Sequence, residues 1–260
     1  MQNILLVGCG NMGGAMLSRW QEKLSANYNF LVISPSHDAG GVSYKSLADL
    51  PASYSLDIII FAVKPQMLAE IFPEYKSRFS EVPIYISIAA GKTIEFFKEH
   101  LGKDAKIIRT MPNTPAMVGK AVTALCASEN VLAAERNIAS ELMNAVGSTI
   151  WVQESEMNAV TAISGSGPAY LFLFLESLTK AAENLGFSSE VAKKLALATV
   201  HGSVHLAEKS GESLEQLRKN VTSKGGTTEA ALNILMQDNA LENLINNAVQ
   251  AAVKRASELE

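Results

Sequence analysis

The stretch "NILLVGCGNMGGAML", Asn3 to Leu17, joins an apolar run to a glycine cluster and then to a helical pattern. A run of Ile, Leu and Val four residues long reads as a buried strand. The glycines Gly8, Gly10 and Gly13 follow at GxGxxG spacing. In a strand–turn–helix context each has a task. Gly8 permits the tight turn, Gly10 lets the backbone approach a pyrophosphate, and Gly13 lets the helix pack on the strand. Amides at the helix N-terminus, with roughly half a positive charge from the macrodipole, would hold the anion. This is a dinucleotide cradle at the N-terminus of a parallel α/β domain.

The rhythm continues outward from that unit. "NFLVIS" (29–34), "DIIIFAV" (57–63), "PIYISIA" (83–89) and "AKIIRTM" (105–111) are short apolar runs, with helix-like stretches at 14–24, 46–50, 66–78 and 94–101. A further strand is expected at 122–127, then a helix at 133–146 and a strand at 148–152. Continuous apolar strands alternating with helices indicate a mostly parallel, doubly wound sheet of Rossmann type. Ligands bind such sheets at the carboxyl ends of the strands. The second strand ends at Ser34, where an NAD site would carry a carboxylate for the ribose 2′-hydroxyl. Ser34, with Ser36 and His37 beyond it, could instead bond a 2′-phosphate, so NADPH is expected and NADH is the alternative. Turn formation beside Pro35 explains Ser36 equally well, and His37 also reads as a solvated loop residue. Lys64 and Pro65 end one strand, the small Ala89-Ala90-Gly91 end the next, and "MPNTP" (111–115) makes a rigid loop that presents Asn113.

After residue 155 the strand rhythm stops. Met157 to Leu185 reads as one long helix, apolar on most sides, with Gly186 as its cap. Further helices are expected from Ser189 to Ser210, Leu214 to Asn220, Thr228 to Met236 and Leu241 to Glu258. An all-round apolar helix needs cover, either from a second subunit or from the first domain; the second subunit is the expectation. Domains at 1–153 and 154–260 follow. The segment "KNVTSKGGTTEAAL" (219–232) crowds Thr222, Ser223, Thr227 and Thr228 around Gly225-Gly226 at a helix entrance. A plain N-cap would use one hydroxyl, whereas a site for a small anion would use several.

Of the 260 residues, 48% are apolar and 18% charged, and the net charge is −4 (22 basic, 26 acidic), with no basic run or basic–aromatic interleaving. Nucleic acid is therefore not an expected partner. Cys9 and Cys126 have neither metal nor disulfide spacing, which suits a reducing compartment. The N-terminus lacks a basic n-region and no uninterrupted apolar run reaches the length of a membrane span, so a cytoplasmic chain without membrane or metal sites is expected.

Taken together, "GxGNMG" (8–13), "AVKP" (62–65), "AAG-T-I" (89–94), "R-MPNTP" (109–115), "SGSGPAY" (164–170) and "NVTSKGGTTEAAL" (220–232) resemble the pyrroline-5-carboxylate reductases, in order and across essentially the whole chain. The resemblance implies a dinucleotide-binding domain and an all-helical domain that interleaves with its partner in a homodimer, with a higher oligomer left open. It implies NAD(P)H-dependent reduction of the C=N bond of a small cyclic imine, 1-pyrroline-5-carboxylate, to L-proline. For the coenzyme it points to Gly8, Gly10, Asn11, Met12, Gly13, Ser34, Ala62, Val63, Lys64, Pro65, Ala90, Asn113 and Asn220. For the substrate it points to Glu154, Asn220, Ser223, Gly226, Thr227 and Thr228, with Thr228 as catalytic proton donor and Asn220 between substrate and nicotinamide. Lys224 stands where the family often has Pro. Hydroxyacid dehydrogenases on similar frames commonly use a Lys on the long helix as base; Met157 to Thr179 has none, which favours C=N reduction. Another imine or keto-acid reductase, or a non-catalytic dinucleotide-binding protein, would be the rival reading.

Overall fold

The computed structural model describes residues 1–35, 42–51, 54–79 and 83–260; Ser36 and His37 lie outside the described residues. Two compact units emerge, one of Met1–Pro168 together with Ala252–Glu260, the other of Ala169–Ala251.

The first unit is built on eight strands: β1 (Gln2–Val7), β2 (Tyr28–Ile33), β3 (Val42–Tyr44), β4 (Ile58–Phe61), β5 (Ile84–Ser87), β6 (Lys106–Met111), β7 (Ala121–Ala127) and β8 (Gly147–Trp151). They form one sheet in the order β3-β2-β1-β4-β5-β6-β7-β8. Side chains alternate across a strand, so a central strand must be apolar at every position. In β1 and β4, Ile4, Leu6, Ile58 and Ile60 enter one core layer, and Leu5, Val7, Ile59 and Phe61 enter the other. Helices α1 (Asn11–Leu24) and α4 (Ala133–Asn144) cover the first layer through Met16, Leu17, Trp20, Leu142 and Met143. Helices α2 (Leu68–Arg78) and α3 (Ile94–Leu101) cover the second through Phe72, Tyr75 and Phe97. Trp20 also donates its indole Nε1 to the carbonyl of Leu142 at 2.7 Å, tying α1 to α4.

The sheet is parallel except between β6 and β7, which are antiparallel. A parallel return needs a crossover of a dozen or more residues. The chain between Met111 and Ala121 has only a 3₁₀ turn, Thr114–Val118, closed by Gly119 at φ 70°, so it can only double back. The three-residue β3 had no sequence signal, and 46–50, expected as a helix, is a single 3₁₀ turn at Leu47–Asp49.

The expected long helix at 157–185 is broken into three. A short α5 (Met157–Val160) leads into a π-helical turn at Thr161–Gly165, and α6 (Gly167–Asn184) restarts after it. Ser166 N–H reaches back five residues to the carbonyl of Thr161 at 2.9 Å. Pro168, in the first turn of α6, has no N–H to contribute. Beyond it come α7 (Ser189–Ser210), α8 (Leu214–Asn220), α9 (Thr227–Met236) and α10 (Ala240–Ser257). Within the single chain α6 buries no residue, and Leu171, Phe172, Leu173 and Phe174 are 43%, 59%, 63% and 49% exposed. Contrary to the expectation of no span-length segment, Glu154–Asn184 taken as one stretch is long and apolar enough, by length and composition, to cross a membrane.

The end of α10 belongs to the first unit. There Leu259 lies over Gly91, whose added Cβ would stand 2.8 Å from Leu259 Cβ. Lys92 Nζ donates to the carbonyls of Leu259 (3.3 Å) and Glu260 (3.1 Å), and Asn158 Nδ2 donates to Glu260 Oε1 at 3.0 Å.

Candidate active site

The turn after β1 shows why it is glycine-rich. Gly8 sits at φ +91°, and a Cβ there would lie 2.8 Å from Val63 Cγ1 and 2.9 Å from the Ala62 carbonyl carbon and oxygen. A Cβ on Gly13 would come within 2.7 Å of the Gly8 carbonyl oxygen and 3.2 Å of Ala62 Cβ. Gly10 differs from both, with nothing within 4 Å of its Cβ position. Gly10 is also the N-cap of α1, with no side-chain cap and no acidic residue in the first turn. The N–H groups of that first turn, Asn11 and Met12 included, thus have no intrahelical acceptor and no competing carboxylate. This open, amide-lined turn is suited to a pyrophosphate.

Beside it, a cavity of about 370 Å3 lies at the carboxyl ends of β4, β5 and β6. Its walls are Met12, then Ala62, Val63, Lys64 and Pro65 after β4, Ile88 to Ala90 after β5, Met111 to Thr114 at the end of β6, and Gly165 of the π turn. Ala62, Ala89, Ala90 and Gly165 keep the walls low. A Cβ on Gly165 would stand 2.6 Å from Met111 Cε, so a larger residue there would push aside the end of the Met111 side chain. Lys64 is exposed, and its ammonium has no hydrogen bond or ion pair among the described residues. Asn113 is 8% exposed, and its amide is committed to the scaffold. Its Oδ1 accepts from Val122 N–H at 3.1 Å, and its Nδ2 donates to the carbonyl of Ser164 at 3.1 Å. The side chain therefore joins β7 to the π turn while its flank lines the cavity. Ser34, at the end of β2, is 7% exposed and donates its backbone N–H to the carbonyl of Tyr44 at 3.0 Å. A second groove, about 640 Å3, follows the outer side of α1 along Cys9, Gly10, Ser18, Arg19 and Met117.

Glu154 is engaged within the first unit. Its Oε1 accepts from Arg109 Nη1 at 2.5 Å and from the backbone N–H of Ile94 at 2.7 Å. The Arg109 side chain is 5% exposed and that of Glu154 36%. Cys126 lies opposite Arg109 on β7. Burial pushes its thiol up to about 11, while the Arg109 charge pulls the other way. Arg109 stands in the quoted "R-MPNTP" motif, yet its partners are 45 and 17 residues away in different elements. Only a buried cation in an apolar strand hinted at them.

In the second unit, Gly225 adopts φ +71° and Gly226 caps α9 with extended backbone and no side-chain cap. Neither Thr227 nor Thr228 caps the helix. Their first-turn N–H groups have no intrahelical acceptor, and among the described residues their hydroxyls make no hydrogen bond. The carboxylate of Glu229 takes the N–H of Gly225 at 2.7 Å, and Ser223 accepts from Gly226 N–H through its carbonyl at 3.0 Å. A Cβ on Gly226 would stand 2.5 Å from Ser223 Oγ and 3.0 Å from its carbonyl oxygen, so a larger residue there would force the Ser223 hydroxyl aside. Asn220 is held at both ends of its amide, donating to Glu212 Oε2 and accepting from Gln216 Nε2, each at 2.7 Å. The structure thus gathers Asn220, Ser223, Gly226, Thr227 and Thr228 about one helix entrance, while Glu154 belongs to the other unit. Among the described residues no group of three or more His, Cys, Asp or Glu could hold a metal ion.

Comparison with known proteins bears on both units. The family described as "Pyrroline-5-carboxylate reductase dimerisation" matches residues 154–259. That described as "NADP oxidoreductase coenzyme F420-dependent" matches residues 3–91. The chain is 34% identical to pyrroline-5-carboxylate reductase 2 of Bacillus subtilis (strain 168), over 100% of this chain and 96% of that protein. The structure of a pyrroline-5-carboxylate reductase from Coxiella burnetii superposes with a TM-score of 0.91 at 37% identity, covering 100% of this chain and 98% of the other. The Plasmodium falciparum pyrroline carboxylate reductase with NADP bound gives 0.89 at 32% identity, covering 99% and 98%.

Proposed function

The chain belongs to the pyrroline-5-carboxylate reductase family, and from that premise we propose how its residues divide the work of reducing the C=N bond of 1-pyrroline-5-carboxylate to L-proline. The first unit binds the coenzyme. Its fit to a dinucleotide rests on the glycine turn, where added Cβ atoms at Gly8 and Gly13 would meet backbone and the first turn of α1 is free of acid. Gly8, Gly10, Asn11, Met12 and Gly13 would hold the pyrophosphate. Ala62, Val63, Lys64, Pro65, Ala90 and Asn113 would line the nicotinamide end, with Ser34 on the adenosine side. The serine in place of a carboxylate supports NADPH over NADH. Bound NADPH supplies the hydride that reduces the imine carbon.

The second unit binds the substrate. The observation that carries this reading is the entrance to α9, where a glycine cap leaves first-turn amides and two threonine hydroxyls without partners among the described residues. Amides at a helix N-terminus suit the substrate carboxylate. The neutral hydroxyls of Ser223, Thr227 and Thr228 can orient the ring without adding charge, and Asn220, fixed by Glu212 and Gln216, adds an amide. Thr228 would deliver the proton that the ring nitrogen gains as the carbon takes hydride. Positioned proton transfer is worth ~10²–10⁴-fold in rate.

The exposed apolar side chains of α6 support a homodimer, since the dimerisation match covers them. That cover also accounts for the apolar length of Glu154–Asn184 without a membrane. Further assembly of dimers would use other surfaces. Two buried free thiols suit the cytoplasm.

The test is oxidation of NADPH and of NADH by purified protein with the cyclic imine. Thr228→Ala should lower kcat by ~10²-fold or more with unchanged thermal stability, and Thr228→Ser should retain most of the rate. Full turnover in Thr228→Ala would remove it as donor. Absence of turnover in the parent protein would remove the substrate assignment.

A further inference from the structure

The coenzyme cavity is formed by segments far apart in sequence, and one carboxylate joins them. The loop after β5 lines the cavity through Ala89 and Ala90 and ends at Ile94, the first residue of α3. Strand β6 carries Arg109 and lines the cavity through Met111. The turn that begins at Glu154 runs on through α5 to Gly165, which lines it again. Glu154 Oε1 bonds both Ile94 N–H and Arg109 Nη1, at 2.7 and 2.5 Å. Helix α3 already has a local cap, because Thr93 Oγ1 accepts from Phe96 N–H at 3.1 Å. Glu154 therefore serves a different orphan amide, and from 60 residues away. Local capping fixes where the helix starts; the remote carboxylate fixes where that start lies against β6.

We propose that Glu154 is a positioning residue for the nicotinamide end of the coenzyme site, holding the β5–α3 loop, the end of β6 and the π turn in register, and that it does not bind the substrate. The inference rests on the coenzyme reading above. Two physical reasons set it apart from a substrate contact. Arg109 stays charged in a protein and is almost fully buried, so its guanidinium needs the carboxylate that reaches it. Its Nε has no hydrogen-bond partner among the described residues, which makes the Nη1 bond to Glu154 the more important. The substrate, moreover, carries a carboxylate, and an acidic side chain aimed at it would repel it. Glu154 instead faces a guanidinium and the positive end of a helix.

Glu154→Gln keeps an oxygen for both donors, and Glu154→Ala removes it. Both variants would be compared with the parent by NADPH fluorescence titration without substrate, by steady-state kinetics varying each substrate separately, and by thermal unfolding. Glu154→Ala should raise the NADPH Kd and KM about 10-fold while the imine KM stays within about twofold. Glu154→Gln should recover most of the coenzyme affinity, and it carries the test by itself if the alanine variant does not fold. An imine KM that rises in Glu154→Gln with NADPH binding unchanged would make Glu154 a substrate ligand and overturn the proposal. NADPH binding equal to the parent's in the folded alanine variant would overturn it too. Failure of the parent to bind NADPH would be a different result, against the coenzyme reading itself.

Discussion

Replacing Gly8, Gly10 and Gly13 by alanine one at a time should separate fold from function inside six residues. At Gly8 the alanine must adopt φ +91° with its methyl 2.8–2.9 Å from Val63 and the Ala62 backbone. Left-handed backbone costs an L-residue ~1–2 kcal/mol, and overpacking typically adds ~1–3 kcal/mol. Reduced freedom of the unfolded chain returns only ~0.4–1 kcal/mol, so a net loss of about 1–4.5 kcal/mol is expected. At Gly13 the methyl meets a backbone oxygen at 2.7 Å, and its overpacking cost of ~1–3 kcal/mol is partly offset by the ~1 kcal/mol helix preference of alanine over glycine. Up to about 2 kcal/mol should be lost. At Gly10 the methyl projects into open space from ordinary backbone, φ −76°. Alanine caps less well than glycine by up to ~1 kcal/mol, roughly cancelled by the gain of ~0.4–1 kcal/mol from the unfolded state. Stability should hold within about 0.5 kcal/mol, yet the methyl occupies the space a pyrophosphate would take, and NADPH affinity should fall 10-fold or more. Urea unfolding with a common m-value gives the first quantity and fluorescence titration the second. A Gly10→Ala protein that binds NADPH as tightly as the parent would refute the placement of the phosphates. A Gly8→Ala protein of unchanged stability would refute the steric argument.

Two further outcomes follow from burial. Cys126 has its thiol pushed up to about 11 from a reference of 9.0. Between those values the unfolded chain ionises and the folded one does not, so this contribution to stability is complete below pH 9 and lost as pH rises toward 11. The drop in urea midpoint from pH 8 to pH 10 should be smaller in Cys126→Val than in the parent; equal drops would contradict the shift. On α6, Phe172 and Leu173 are 59% and 63% exposed in the single chain. Phe172→Asp should therefore move sedimentation from dimer toward monomer, and an unchanged dimer would mean that another surface holds the subunits.

The central sheet was legible because burial on both faces writes itself into composition: "IIIF" at 58–61 admits few other readings. Strand direction was not. Nothing in "ALCA" (124–127) differs between parallel and antiparallel, and the short path from Met111 to Ala121 decided it. The π turn also escaped, since one extra residue in a helical repeat barely disturbs an apolar pattern. At the candidate site, glycines and small residues could be read because steric exclusion restricts the residue itself. Glu154 was named for the substrate, and its ion pair with Arg109 and its hydrogen bond from Ile94 N–H leave no local trace in the sequence. Asn113 was named for the cleft and does line the cavity, but the ties of its amide to β7 and Ser164 were not legible.

The return of Ala252–Glu260 to the first unit has a consequence for how the protein is made. Chains leave the ribosome N-terminus first, and domains tend to fold as they appear. Most of the sheet can assemble once Pro168 has emerged. The seat beside Gly91 and Lys92 stays empty until translation passes residue 259, with the helices of the other unit emerging in between. The loop that walls the cavity at the strand ends is therefore among the last parts of the first unit to find all its neighbours.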